Sequence, residues 1–193
     1  MRLLKKKLMR KIKAVFIDRD GTINVEKKYV YKIEDFEFIP GALEALKLLT
    51  DNGIKIYVLT NQAGIAKGYF TEEHFQALTK HMINACEGEN ISIEDVLYCP
   101  HHPDGIVPEY TRHCLCRKPN TRLMEQVIRE HGYNNDELVL IGDKKSDIDA
   151  GIKLRIDTYL VLTGYGKENR SSANATHVMP DILSVAKHII CDP

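Results

Sequence analysis

Two carboxylates, Asp18 and Asp20, stand two residues apart in Asp18-Arg19-Asp20-Gly21-Thr22-Ile23, directly after the apolar run Ala14 to Ile17. Alone, such a pair is ordinary turn chemistry, in which Asp caps local backbone. Three distant segments give it meaning: Thr60-Asn61, Lys118 before Pro119, and Gly142-Asp143 with Asp147 four residues on. A hydroxyl, an ammonium and several carboxylates aimed at one crevice suit phosphoryl transfer through an aspartate. A phosphate dianion repels an attacking carboxylate, so a divalent cation is needed, and hard oxygen ligands such as Asp18 and Asp143 suit Mg2+. On this reading Asp18 is the nucleophile and forms an aspartyl phosphate. Asp20 protonates the leaving oxygen and then deprotonates the hydrolytic water. Thr60 and Lys118 hold the nonbridging oxygens, where transition-state charge must be stabilised. No G-x-x-x-x-G-K-[ST] loop occurs, which disfavours kinase chemistry of that type.

A second constellation is built from sulfur. Cys99-x-His101 and Cys114-x-Cys116 are separated by twelve residues. Three thiolates and one imidazole close a tetrahedral structural Zn2+ site, although one-residue gaps are tighter than usual and His102 and His113 are rival ligands by position. A metal knot accounts for a segment of this length staying ordered without secondary structure, because closing the loop lowers the chain entropy opposing one conformation. Arg117 and Lys118 follow the last ligand directly, so the zinc serves to present cations rather than to react. Cys86 and Cys191 stand apart and read as packing residues.

These groups need a scaffold. Buried-strand patterns at Lys13 to Asp18, Ile54 to Thr60, Ile93 to Tyr98, Glu137 to Ile141 and Thr158 to Thr163 alternate with helical patterns. The helices begin after Pro40-Gly41, run from Thr71 as N-cap to about Glu87, from Thr121 to His131, through Asp147 to Leu154, and from Asp181. Such alternation predicts an α/β, Rossmann-like, doubly wound and mostly parallel sheet with the zinc-binding loop inserted at 99–118. Ligands bind beyond the carboxyl ends of such strands, where Asp18, Thr60 and Asp143 fall. Little chain is left between Thr22 and Gly41 or between Asn61 and Arg117, so no large cap domain fits.

The chain has 193 residues, which predicts one domain over 13–193 preceded by a poorly ordered basic lead-in over 1–12, with Met9 as an alternative start. With 44% hydrophobic and 28% charged residues, a disordered chain is excluded. Lys plus Arg total 27 and Asp plus Glu total 27, so no overall field draws the molecule to nucleic acid or an anionic membrane. No apolar stretch approaches the ~20 residues that span a bilayer, and the basic start lacks a signal-peptide apolar region. A cytoplasmic monomer acting on a small molecule is expected.

The segments DRDGTI, LTN, the Lys before Pro119, and GDKKSD, in that order, resemble the four motifs of the haloacid dehalogenase (HAD) superfamily of phosphohydrolases. CPHHP followed by CLCRKP, with INVEKKYVYKIEDFEFIPG and TNQAGIAKGYFTEEHF, is similar to the D-glycero-D-manno-heptose 1,7-bisphosphate 7-phosphatase family and its histidinol-phosphate phosphatase relatives, nearly end to end. The resemblance implies hydrolysis of the C7 phosphate, leaving heptose 1-phosphate for nucleotide activation in lipopolysaccharide precursor synthesis. By position it implies Asp18, Asp20, Thr60 and Lys118 as catalytic, and Asp18, Asp20 and Asp143 as the Mg2+ set. It also implies Glu26, Tyr29, Thr60, Asn61, Gln62, Arg117, Lys118 and Lys144 as substrate contacts, with Lys27 and Lys28 inside the sugar-contacting stretch. A histidinol-phosphate phosphatase shares all four motifs and the metal loop. A zinc-stapled binding protein with a silent phosphatase-like pocket is the reading from a different class.

Overall fold

A computed structural model of the chain describes residues 11–191. The proposed start at Met9 and most of the basic lead-in lie outside the described residues, while Ile12 already packs against the core. The strands are β1 (Ala14–Ile17), β2 (Lys55–Asn61), β3 (Asp95–Cys99), β4 (Leu138–Gly142), β5 (Asp157–Val161) and β6 (His177–Met179). They form one parallel sheet in the order β3-β2-β1-β4-β5-β6. Each expected strand falls within a residue or two of its sequence pattern.

The sheet is buried on both faces, which is why β1 and β4 read as continuous apolar runs rather than alternating ones. One face carries Val15, Ile17, Ile56, Val58, Val139 and Ile141 against helices α1 (Ala42–Asp51) and α7 (Ile182–Cys191), with Met82 and Cys86 of α3 (Glu72–Gly88). The opposite face carries Ala14, Phe16, Tyr57, Leu59 and Leu140 against Met124 and Val127 of α4 (Arg122–His131) and Ala150 of α5 (Lys145–Leu154). Thr71 caps α3 as expected, accepting from the His74 main-chain N–H. The single-turn helices α2 (Ala63–Ala66) and α6 (Gly166–Asn169) fall between these in chain order.

The chain leaves β1 toward β2 and β3 on one side and returns to β4, β5 and β6 on the other, so the order reverses beside β1. This is the topological switch point where such sheets open a crevice. In register, Ile17 pairs with Val58 and with Ile141, so the residues that follow on all three strands emerge together. No helix among the described residues is long and apolar enough to cross a membrane. Nor does any segment among them form a large cap.

Candidate active site

Asp18 follows β1 and is 4% exposed, and Asp143 follows β4 and is fully buried. Lys118 reaches Asp18 from the end of the cysteine loop. Its Nζ donates to Asp18 Oδ1 at 2.7 Å and to the Leu59 carbonyl at 2.6 Å, and lies 2.7 Å from Asp147 Oδ1. Burial alone would lower the Lys118 pKa, but the charges of Asp147 and Asp18 outweigh it and raise it, so the ammonium stays charged. Asn61 anchors this residue's main chain: its side-chain amide donates to the Lys118 carbonyl at 3.1 Å and accepts from the Lys118 N–H at 3.0 Å.

One carboxylate oxygen from each of Asp18, Asp143 and Asp147 lies within 4.8 Å of the others. The cluster therefore differs from the expected set of Asp18, Asp20 and Asp143. Asp147 takes part because α5 begins right after Asp143: its Oδ2 accepts the Lys144 N–H at 3.0 Å, leaving Oδ1 turned to the cluster. Burial, and then the neighbouring Asp18 charge, push the Asp143 pKa up to about 8. Asp143 Oδ1 is buried without a hydrogen-bond partner, while Oδ2 accepts from the Tyr165 N–H at 2.7 Å. Three crowded oxygen ligands, one of them orphaned, fit a hard divalent cation better than they fit one another. Gly21 has φ +89°, and a Cβ there would run into Asp143 Oδ2, so this turn needs glycine.

Asp20 points elsewhere. Its carboxylate accepts from Arg19 Nε at 3.2 Å and Nη2 at 2.9 Å, from Asn24 Nδ2 at 3.1 Å and from Gln62 Nε2 at 3.0 Å. Burial works to raise its pKa, but the adjoining Arg19 charge and these donors hold it below the usual carboxylate range. Gln62 also donates to the buried Thr60 Oγ1 at 2.7 Å, which joins the β2 end to the Asp20 turn.

Beside these groups opens a crevice of about 500 Å³ lined by Asp20, Asn61 and Gln62, and by Glu26, Lys28, Tyr29, Lys67, His102, Arg117, Lys144 and Tyr165 among others. Of the expected substrate contacts, Glu26, Tyr29, Asn61, Gln62, Arg117 and Lys144 line it, whereas Thr60 and Lys118 lie buried behind. Lys144 pairs with Glu26 at 3.1 Å, and Lys67 donates to the Tyr29 hydroxyl at 3.0 Å. Lys27 turns away to Glu37 at 3.0 Å. The residues given no place in this site by the sequence are Arg19, Asn24, His102 and, as a member of the carboxylate cluster, Asp147. Only Asp147 carried a signal, its four-residue offset from Asp143 at a helix start.

The cysteine loop closes on itself. Cys99, His101, Cys114 and Cys116 each bring a ligand atom within 4.8 Å of the others. Sulfur–sulfur separations are 3.5, 3.1 and 3.3 Å, and His101 Nδ1 lies 3.2 Å from Cys116 Sγ. A tetrahedron with zinc–sulfur bonds of about 2.3 Å has edges of about 3.8 Å, so the four groups already have nearly the size of a metal site. Of the rival ligands, His102 accepts the Asp104 N–H at 3.1 Å and lines the crevice, and His113 is exposed. The cluster can hold a metal.

A parallel sheet with acids after β1 and β4, a lysine paired with Asp18 and Asp147, and no large cap among the described residues is the architecture of a HAD-like hydrolase. A family model described as HAD-hydrolase-like matches residues 115–185. D-glycero-alpha-D-manno-heptose-1,7-bisphosphate 7-phosphatase of Photorhabdus laumondii is 45% identical over 156 residues, covering 80% of this chain and 85% of that protein. D-glycero-beta-D-manno-heptose-1,7-bisphosphate 7-phosphatase of Haemophilus influenzae is 36% identical over 176 residues, covering 91% and 95%. Among solved structures, D,D-heptose 1,7-bisphosphate phosphatase from B. bronchiseptica, complexed with magnesium and phosphate, superposes with a TM-score of 0.86 at 26% identity, covering 94% of this chain and all of that one. The chain belongs to the D-glycero-D-manno-heptose-1,7-bisphosphate 7-phosphatase family.

Proposed function

We propose that this chain removes the C7 phosphate of D-glycero-D-manno-heptose 1,7-bisphosphate through an aspartyl-phosphate intermediate, with Mg2+ in the carboxylate cluster. The observation that carries the reading is Lys118 Nζ held at 2.7 Å from both Asp18 and Asp147. A fixed cation beside a carboxylate at the switch point supports Asp18 as the nucleophile. Mg2+, held by Asp18, Asp143 and Asp147, supplies charge neutralisation for the entering phosphoryl group. Asp18 attacks phosphorus, and Lys118 and Thr60 steady the nonbridging oxygens. Asp20 gives a proton to the leaving sugar oxygen, then receives one from the water that cleaves the intermediate.

Zn2+ held by Cys99, His101, Cys114 and Cys116 fixes the loop that ends in Arg117 and Lys118. Thiols kept for zinc need a reducing compartment, which supports a cytoplasmic enzyme. The residues proposed for the chemistry are all supplied by one chain, so a single copy suffices to act on a small sugar bisphosphate. Arg117, Lys67 and Lys144 at the crevice are placed to take the C1 phosphate, while Glu26 and Tyr29 face the sugar.

The test is phosphate release from both anomers of the heptose bisphosphate beside histidinol phosphate, with and without Mg2+. The wild-type protein is expected to turn over a heptose bisphosphate with the higher kcat/KM, and Asp18→Asn to abolish multiple turnover while melting normally. Preference for histidinol phosphate moves the chain to the sister activity, and silence on every substrate leaves only the binding reading.

A further inference from the structure

Arg19 is the largest fully buried side chain among the described residues, with 1% of its side chain exposed, and it carries a permanent charge. Its Nε and Nη2 grip Asp20 Oδ1, Nη2 also reaches Oδ2, and Nη2 donates to the Val30 carbonyl at 3.0 Å. Behind the fork the guanidinium carbon sits 5.6 Å from the Phe75 ring centre. Asp20 is the side of this pair that reaches the crevice; its side chain is 15% exposed.

Stability does not account for the arrangement. Arg19 Nη1 is buried without a partner, an incomplete satisfaction that costs free energy. Apolar replacements of similar volume commonly match or exceed a buried ion pair in stability. What the fork does supply is orientation: two donors in one rigid plane fix both the position and the tilt of a carboxylate. Asn24 on Oδ1 and Gln62 on Oδ2 complete the grip from the other sides.

We infer that Arg19 is a positioning residue that fixes the Asp20 carboxylate at the angle from which it takes the proton of the hydrolytic water. This rests on the aspartyl-phosphate reading above. In that half-reaction the water oxygen bonds to phosphorus and its proton passes to Asp20. The bond from phosphorus to the Asp18 oxygen breaks with its electron pair returning to Asp18, and inorganic phosphate leaves. A carboxylate displaced by about 1 Å from its productive place costs on the order of a hundredfold in such a step.

The test uses 4-nitrophenyl phosphate, whose leaving group departs without a proton. With this probe kcat/KM reports phosphorylation of Asp18, and kcat reports hydrolysis of the intermediate. Arg19→Lys keeps the charge and loses the fork. It is expected to lower kcat by about tenfold or more, with kcat/KM within about threefold of wild type, and to show a burst of nitrophenolate. In an Asp20→Asn background the same substitution is expected to cost nothing further. An equal fall in kcat and kcat/KM overturns the proposal, as does a loss that multiplies with that of Asp20→Asn. Arg19→Met, which removes the buried charge as well, is the second variant; failure of both to fold assigns Arg19 to packing and overturns it. A wild-type protein that gives neither turnover nor burst overturns the aspartyl-phosphate reading instead, and that result is seen before any variant is made.

Discussion

Lys118 brings a full charge into a space where water does not compensate it, and the charges of Asp18 and Asp147 do. Removing it by Lys118→Met strands two buried carboxylates, which costs about 3–5 kcal/mol by the usual penalty for breaking a buried pair. Urea unfolding without added Mg2+ measures this, and Mg2+ is expected to restore part of the loss; a change under about 1 kcal/mol contradicts the assignment of the ion pair. Asp143 gives a pH dependence of defined sign. Its folded pKa, about 8, lies above the ~3.9 of an unfolded Asp, so its contribution is complete below the unfolded value and drains as pH rises toward the folded one. Without Mg2+ the protein is expected to melt lower at about pH 8.5 than at about pH 5.5, with added Mg2+ raising the melting temperature more at the higher pH. A pH-independent effect of Mg2+ argues against a cation at this carboxylate. At this scale Asp18, Asp20, Asp143 and Lys118 were legible from sequence because each follows a recognisable strand or precedes a proline. Arg19 was not: a cation between two acids in a turn looks solvated, whereas tertiary packing buries it, with Phe75 among its neighbours.

The element that most depends on a metal is the loop from Cys99 to Lys118. It contains no helix or strand between Cys99 and Arg122, yet it must deliver Lys118 to within 2.7 Å of Asp18. Apart from the cysteine cluster it is held by scattered turn and side-chain hydrogen bonds, among them Tyr110 and Thr111 N–H to the Val107 carbonyl, the Ala66 carbonyl accepting from Ile106 and Val107, Asn120 Nδ2 to the Cys114 carbonyl, and the Asn61 amide at Lys118. Cys114→Ser, or stripping of the metal, is therefore expected to open sites for trypsin at Arg112 and Arg117. The same change is expected to lower kcat/KM by about tenfold or more, because the phosphoryl clamp loses its fixed position. Limited proteolysis with matched kinetics checks this, and unaltered protection in metal-stripped protein refutes the stapling role. The long elements were legible because their apolar period is clear over ten residues or more, as in α1 and α4. Helix Ala63–Ala66 was hidden inside NQAGIAKGYF, where Gly64 and Gly68 look like loop punctuation; Gly64 is instead needed because the Phe70 ring packs on its Cα. Strand β6 has three residues and no usable alternation, so only its pairing with β5 defines it.

For the whole molecule, alternation of strand and helix foretold the parallel sheet, but the reversal of strand order beside β1 belongs to tertiary packing that no local pattern encodes. Zero net charge likewise conceals a local field. Lys28, Lys67, Arg117 and Lys144 gather around the crevice, where only Asp20 and Glu26 among its lining residues carry negative charge, and Asp20 is already held by Arg19. His102 registers this field: burial first, then the charges of Arg117 and Lys67, lower its pKa, so it faces the crevice as a neutral ring at neutral pH. With no large cap among the described residues to close over the substrate, selectivity rests on this rim, and a second phosphate on the substrate is the group best able to use it. The double variant Arg117→Met with Lys67→Met is expected to lower kcat/KM for a heptose bisphosphate by about ten- to a hundredfold, the loss of two charge-assisted contacts. For a heptose carrying only the C7 phosphate the same variant is expected to change kcat/KM by less than about threefold, since Asp18, Lys118 and the carboxylate cluster are untouched. Raising the salt concentration is expected to shrink the wild-type preference for the bisphosphate and to leave the variant nearly unaffected, because partly exposed charges are screened. Equal losses on the two substrates would place Arg117 and Lys67 in the chemistry of the transferred phosphate rather than in recognition of the second one.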